Sequence, residues 1–213
     1  RLHPRSHSFQ RRLACLRALR DAGYLVGTGV MIGLPGQTPE DLADDILCFE
    51  RLDADMVGMG PYVPHAHTPL AAGVSAFDAA RQLRLGLIMI ALTRLRLRDV
   101  NIAAATALQA LHPAGRELGV GAGANVLMPN LTPAPYRAEY RLYDGKPCLA
   151  EDAADCRACL EQRLRAIGVA IGYGELGDAP HFQRRIGTWK KPPKDSACTS
   201  ASTAGATSAS PRS

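Results

Sequence analysis

The sequence predicts an α/β chain: the C-terminal half of a (β/α)8 TIM-type barrel, then a cysteine-bearing closing segment and a disordered tail. Three observations point there. Strand-like apolar runs alternate with amphipathic helical stretches, four times in succession. The connections are short, as buried parallel βα units require. Glycines also interrupt the strands, at Gly27, Gly29, Gly58 and Gly60, which weakens an open sheet but suits tight barrel curvature or close approach of backbone to a ligand.

The elements follow in order. Phe9 to Ala22 carries apolar residues at Leu13, Leu16 and Leu19 and stops at Gly23, a helix; "YLVGTGVMI", Tyr24 to Ile32, reads as a buried strand. Thr38 is an N-cap with Pro39 at the first helical position and an acid at the third, and that helix runs to Leu52. "DMVGMGPYV", Asp55 to Val63, is the second strand, and Phe77 to Arg98 a long helix. "NIAAATA", Asn101 to Ala107, is the third strand, a short helix spans Pro113 to Val120, and "ANVLMP", Ala124 to Pro129, is the fourth strand. Four strands cannot close such a barrel, so its front half is expected to lie outside the chain. The expected organisation is a half-barrel over 1–147, a cysteine-bearing helical closing segment over 148–187, and an Ala/Ser/Thr/Pro tail or linker over 188–213 with almost nothing to bury.

Composition narrows the function classes. At 46% hydrophobic and 21% charged, the chain can bury a sizeable core. It has no apolar run of about 18 residues to span a membrane, and no signal-peptide pattern. The formal charge of +5 comes from arginines interleaved with acidic and apolar residues, as in "RLACLRALRDAG". That is a solvated helix face, and without aromatics to stack bases it excludes a nucleic-acid partner. The scattered cysteines give no disulfide framework and indicate a reducing or anaerobic compartment.

Chemistry is expected where the strands end. "GLPGQT", Gly33 to Thr38, is a tight turn whose backbone N–H groups suit a polar or anionic ligand, although a βα turn needs Gly and Pro on its own account. His65 and His67 in "PYVPHAHTPL" are spaced for a metal, yet no carboxylate accompanies them, and a Pro-stiffened loop with exposed imidazoles is the plainer reading. Thr106 is the only hydroxyl in "AAATA". "MPNLTPAPYRAEYRLYDG" should wrap the rim and end at the cysteines.

Three of the six cysteines fall within "PCLAEDAADCRACL": Cys148, Cys156 and Cys159. With Asp155 as a cap, Cys156 and Cys159 share one face of a first helical turn, where the helix dipole favours thiolate. Three thiolates with one open position suit an iron–sulfur cluster with a non-Cys ligand, or a zinc site completed by His. Three unligated thiols are the alternative.

"GLPGQTPEDLADDI", "GMGPYVPHAHTPLA", "NIAAATAL", "GANVLMPNLTP" and "YRAEYRLYDGKPC", with the C-x7-C-x2-C ending, together resemble the radical S-adenosylmethionine maturase of [FeFe]-hydrogenase, the HydE family, related to biotin synthase. The likeness runs from Arg1 to Gly168. It implies a radical SAM barrel whose [4Fe-4S] cluster is held by C-x3-C-x2-C, a spacing absent here, so that these residues alone are expected to be inactive. It further implies that Cys148, Cys156 and Cys159 match an accessory [2Fe-2S] or [4Fe-4S] site present in some members. Arg12, Met128, Tyr140 and Leu142 match residues that contact S-adenosyl-L-methionine, and Thr106 matches the second of two threonines in an anion pocket whose first position is Ala105 here. His67 stands where an Asp is common. The implied task is assembly of the dinuclear iron subcluster of the hydrogenase H-cluster. Its substrate is a cysteine-bound iron carbonyl cyanide complex or another small thiol-containing compound, and its partners are a radical SAM maturase and a GTPase scaffold maturase. The implied location is the cytoplasm of an anaerobic bacterium, or the plastid stroma if the source is algal. Two alternatives remain: another biotin synthase-like radical SAM enzyme, and a non-catalytic iron–sulfur or scaffold-binding module.

Overall fold

A computed structural model describes residues 4–70, 77–137, 139, 146–147 and 153–188. Three parallel strands, β1 (Gly27–Ile32), β2 (Met56–Pro61) and β3 (Asn101–Ala104), pair in sequence order, with Gly29 opposite Gly58 and Met59 opposite Ala104. Helix α1 (Phe9–Asp21) precedes β1, α2 (Pro39–Arg51) joins β1 to β2, and α3 (Ala79–Arg96) joins β2 to β3. Sequential parallel order with helical crossovers is the arrangement of a partial barrel.

The core lies between the strands and α2 and α3. Val57, Met59, Ile102, Ala104 and Ile32 meet Leu42, Ile46 and Phe49 of α2 and Met89 and Ile90 of α3. Each of the large side chains contributes about 2 kcal/mol by burial. Helix α2 forms where the sequence predicts. The Thr38 hydroxyl accepts from Asp41 N at 3.2 Å while the Asp41 carboxylate accepts from Thr38 N at 2.8 Å, a complete capping box ahead of Pro39. Asp78 caps α3 in the same way, accepting from Arg81 N at 2.9 Å. Helix α1 has no buried residue.

The third and fourth strands are shorter than expected. β3 ends at Ala104, and Thr106 opens helix α4 (Thr106–Leu111), followed by α5 (Gly115–Gly121). The alanine run reads as strand by hydropathy, but alanine is the best helix former, and Leu108 is wholly buried. The segment Ala124 to Pro129 is reduced to one parallel bridge, Ala103 with Val126. The cause is local: the Ile102 N–H donates to the Asn125 side chain at 2.8 Å rather than to a strand carbonyl, and β3 offers no partner beyond Ala104. Arg94 of α3 secures this corner, its Nε donating to the Gly123 carbonyl at 2.8 Å and its Nη1 to that of Val100 at 2.9 Å.

Two helices complete the described chain, α6 (Ala153–Ala166) and α7 (Pro180–Thr188). The sequence reading overlooked α7, which packs under the N-terminal ends of the strands. His181 reaches Asp55 through Nδ1 and Asp53 through Nε2, each at 2.8 Å, and Arg185 pairs with Asp55. The expected tail at 188–213 lies outside the described residues from 189 onward. No helix among the described residues is long and apolar enough to cross a membrane.

Candidate functional site

The C-terminal ends of the strands open on one end of the half-barrel, and the loops there carry the predicted site residues. Strand alternation sends Val57, Met59 and Pro61 toward the helices, and therefore Gly58 and Gly60 toward the barrel interior. Ala105 lies beside this line: a Cβ on Gly60 would meet that of Ala105 at 3.4 Å. Thr106 follows as the first residue of α4, half-buried. Met128 stands two residues beyond the bridge at Val126 and is 48% exposed. Ala105, Thr106 and Met128 thus all follow strand ends of the same mouth. Arg12 stands apart, exposed on the first turn of α1. It lines a groove of about 610 Å³ beside β1, shared with Asp44 and Asp45 of α2. Tyr140 and Leu142 lie outside the described residues.

The turn at Gly33 to Thr38 differs from its sequence reading. Its N–H groups are not open to an anion: Gln37 Oε1 accepts from Gly33 N at 2.6 Å and Leu34 N at 3.2 Å, and the capping box closes the start of α2. Gly33 adopts φ +77°, a conformation that favours glycine, and its carbonyl accepts from Gln82 Nε2 at 2.8 Å. The turn is self-satisfied and serves to join β1, α2 and α3. The imidazoles of His65 and His67 lie with centroids 5.3 Å apart, but His65 Nδ1 accepts from His67 N at 3.2 Å. Among the described residues no group of three His, Cys, Asp or Glu side chains is placed to hold a metal.

The cysteine helix begins three residues earlier than expected. Since α6 starts at Ala153, Asp155 belongs to its first turn rather than capping it, and Cys159 lies in the second turn. The dipole argument for thiolate therefore weakens at Cys159, because that field fades within a turn. Cys156 is 1% exposed and accepts a hydrogen bond from Asn130 N at 3.3 Å; Cys159 is half-buried. Cys148 lies outside the described residues.

Sequence reasoning missed what brings this helix to the rim. Buried Arg137 donates from Nε to the Thr132 carbonyl at 2.7 Å and from Nη2 to that of Asn130 at 3.0 Å, folding the Pro-rich segment onto itself so that Asn130 meets Cys156. Arg163 of α6 grips Glu117 of α5 with both Nε and Nη2. Burial alone would raise the Glu117 carboxyl; the Arg163 hydrogen bonds, its own backbone N–H and the charges of Arg163 and Arg116 outweigh it and hold the group below its ordinary range. Tyr62 was also missed: it is buried, and its hydroxyl has no hydrogen-bond partner among the described residues.

No family model matches the chain. Among characterised proteins, the [FeFe] hydrogenase maturase subunit HydE of Thermotoga maritima is 47% identical over 161 residues, 76% of this chain. The chain is a HydE relative. Those 161 residues correspond to 45% of the Thermotoga HydE, so the chain spans just under half the length of the protein it matches. The crystal structure of methylornithine synthase, PylB, superposes with a TM-score of 0.58 at 23% identity, covering 78% of this chain and 46% of that one. At that identity the likeness shows the fold alone, a partial TIM-type barrel, as the sequence predicts.

Proposed function

We propose that these residues supply the C-terminal half of the barrel of a radical S-adenosylmethionine maturase that assembles the dinuclear iron subcluster of [FeFe]-hydrogenase. The 47% identity to HydE over 161 residues carries the reading. The parallel βα repeats, with Ala105, Thr106 and Met128 following strand ends at one mouth, support it. In this reading Met128, with Tyr140 and Leu142, lines the adenosyl part of S-adenosylmethionine, where a soft thioether and an aromatic ring suit a purine and a sulfonium. Arg12, although it stands apart from that mouth, is proposed to contribute a cation to the same cofactor.

The chemistry that a [4Fe-4S] cluster supplies when bound is one-electron cleavage of S-adenosylmethionine to a 5′-deoxyadenosyl radical. Its ligands are proposed to lie outside these 213 residues, which contain no C-x3-C-x2-C spacing. For the accessory cluster the donor set is suitable as far as it is described. Two thiols stand one helical turn apart, and the buried one accepts an N–H···S bond of the kind that stabilises a ligated sulfur. Cys148 is proposed as their third partner.

The small residues Gly58, Gly60 and Ala105 leave room for substrate inside the mouth. A cysteine-bound iron carbonyl cyanide complex is the proposed substrate. A partner radical SAM maturase is its proposed source, and a GTPase scaffold receives the product.

The test is genetic. In a host that carries an [FeFe]-hydrogenase and lacks its own HydE, the full-length gene encoding this segment should restore hydrogen evolution. Persistent loss of activity with the protein expressed and soluble would overturn the assignment.

A further inference from the structure

We infer that the outward face of α3 is a docking surface for an acidic amphipathic helix of a partner protein. A helix on the outside of a barrel ordinarily turns polar residues to water. Helix α2 obeys this, burying Leu42, Ile46 and Phe49 while exposing Glu40, Asp41 and Asp44. Helix α3 does not. It buries Gly86, Met89, Ile90 and Thr93 on its inner face, yet Ile88, Leu92 and Leu95 are 43%, 48% and 72% exposed. Their spacing of four and three residues puts them in one line along the helix. A single exposed leucine is ordinary; a continuous row on an otherwise covered helix marks an interface. Beside the row lies an apolar groove of about 410 Å³, lined by Leu83, Leu87 and Ala91 and by Ala122 at the end of α5.

Charge selects the occupant. One and two turns before Ile88 the same line carries Arg84 and Arg81, both exposed, and neither guanidinium has an acidic partner among the described residues. The row is thus apolar for about two turns and headed by two cations. A matching helix presents leucine-like residues at i, i+3, i+4 and i+7 and carboxylates where it meets Arg81 and Arg84. The chain's own segment 189–213 does not fit, with one acidic residue, Asp195, among several lysines and many small polar residues. A second copy packed antiparallel would set Arg81 and Arg84 against Arg98 of that copy, a like-charge contact that opposes pairing, since the nearby Arg96 is already held by Glu50 at 2.7 Å. A membrane surface is disfavoured because no aromatic residue stands on this row to anchor in the headgroup layer.

The experiment uses the whole chain and two fluorescent peptides of 18 residues with the same leucine spacing, one carrying glutamates and one lysines at the flanking positions. Anisotropy titrations should show saturable binding of the acidic peptide and none of the basic one. Arg81→Glu with Arg84→Glu should weaken the acidic peptide at least tenfold and create binding of the basic peptide. Leu92→Ser with Leu95→Ser should weaken both pairings at least tenfold, with unchanged circular dichroism showing that the fold persists. Several results would overturn the inference: no saturable binding, binding indifferent to the charge swap, a Leu95-dependent dimer in sedimentation velocity, or Leu95-dependent pelleting with phosphatidylserine vesicles in place of peptide binding.

Discussion

Asp55, the residue before β2, holds His181 of α7 at 2.8 Å across 126 residues of chain. The same carboxylate accepts from Val26 N at 2.8 Å ahead of β1 and pairs with Arg185, so a single side chain ties two strand starts to the last described helix. It is fully buried. This end of the barrel is the one opposite the mouth, where fixed polar contacts serve stability rather than chemistry.

Removing one member of a buried, hydrogen-bonded charge group strands the others. Asp55→Asn is therefore expected to lower the unfolding free energy by about 3 kcal/mol. The loss should read as a lower urea midpoint with an unchanged slope. His181→Ala should cost less, because Arg185 and the Val26 N–H still satisfy Asp55.

Acid should act on the same cluster with a definite sign. Burial alone would raise the Asp55 carboxyl, but hydrogen bonds from Arg185, Val26 N–H and His181 and the Arg185 charge outweigh it and hold it below its ordinary 3.8. Its folded form binds a proton less readily than its unfolded form. The stabilisation is then present above the ordinary value and is lost as pH falls through the lowered one. Asp45 has the opposite sign: burial, then the charges of Asp41 and Asp44, raise it. It erodes stability as pH climbs past 3.8, so Asp45→Asn should raise the melting temperature at neutral pH and leave it unchanged near pH 3. Equal effects at both pH values would contradict the assignment.

Gly29 admits no side chain. A Cβ there would fall 1.9 Å from the Gly58 carbonyl oxygen on the neighbouring strand. Gly29→Ala should force β1 and β2 apart and destabilise by about 3 kcal/mol, whereas Gly58→Ala, with its nearest atom at 4.0 Å, should be mild. Thermal melts of the two variants measure the difference.

The cysteine helix is testable by colour. Anaerobic reconstitution with iron and sulfide should give sulfur-to-iron charge-transfer absorbance, and Cys156→Ser with Cys159→Ser should bleach the accessory site. An unchanged spectrum removes these ligands from the account.

Much of the fold was legible because its signals are local. Thr38-Pro39 with Asp41 names the start of α2 by chemistry that needs no tertiary contact, and the βα alternation shows the parallel sheet. What escaped depended on distant partners. Nothing in "HFQRRIG" announces that His181 and Arg185 face a buried carboxylate 126 residues away. The turn after β1 looked open to anions because Gln37 reads as an ordinary loop residue, and only the folded turn shows its side chain bonded to Gly33 and Leu34. The alanines after Ile102 suit strand or helix, and the packing of Leu108 decides between them. At the site, Cys156 and Cys159 do share one helix, though not its first turn, while the buried Arg137 that presents Asn130 to Cys156 gives no sign in sequence.

The central proposal is that these residues form one half of a HydE-type radical barrel whose radical-generating iron is held by the other half. The most direct measurement is reductive cleavage of S-adenosylmethionine under anaerobic conditions, read as 5′-deoxyadenosine by chromatography. The full-length reconstituted protein should form 5′-deoxyadenosine, and the 213 residues alone should form none. Cleavage by the 213 residues alone, or its absence from the full-length protein with its cluster loaded, would contradict the account.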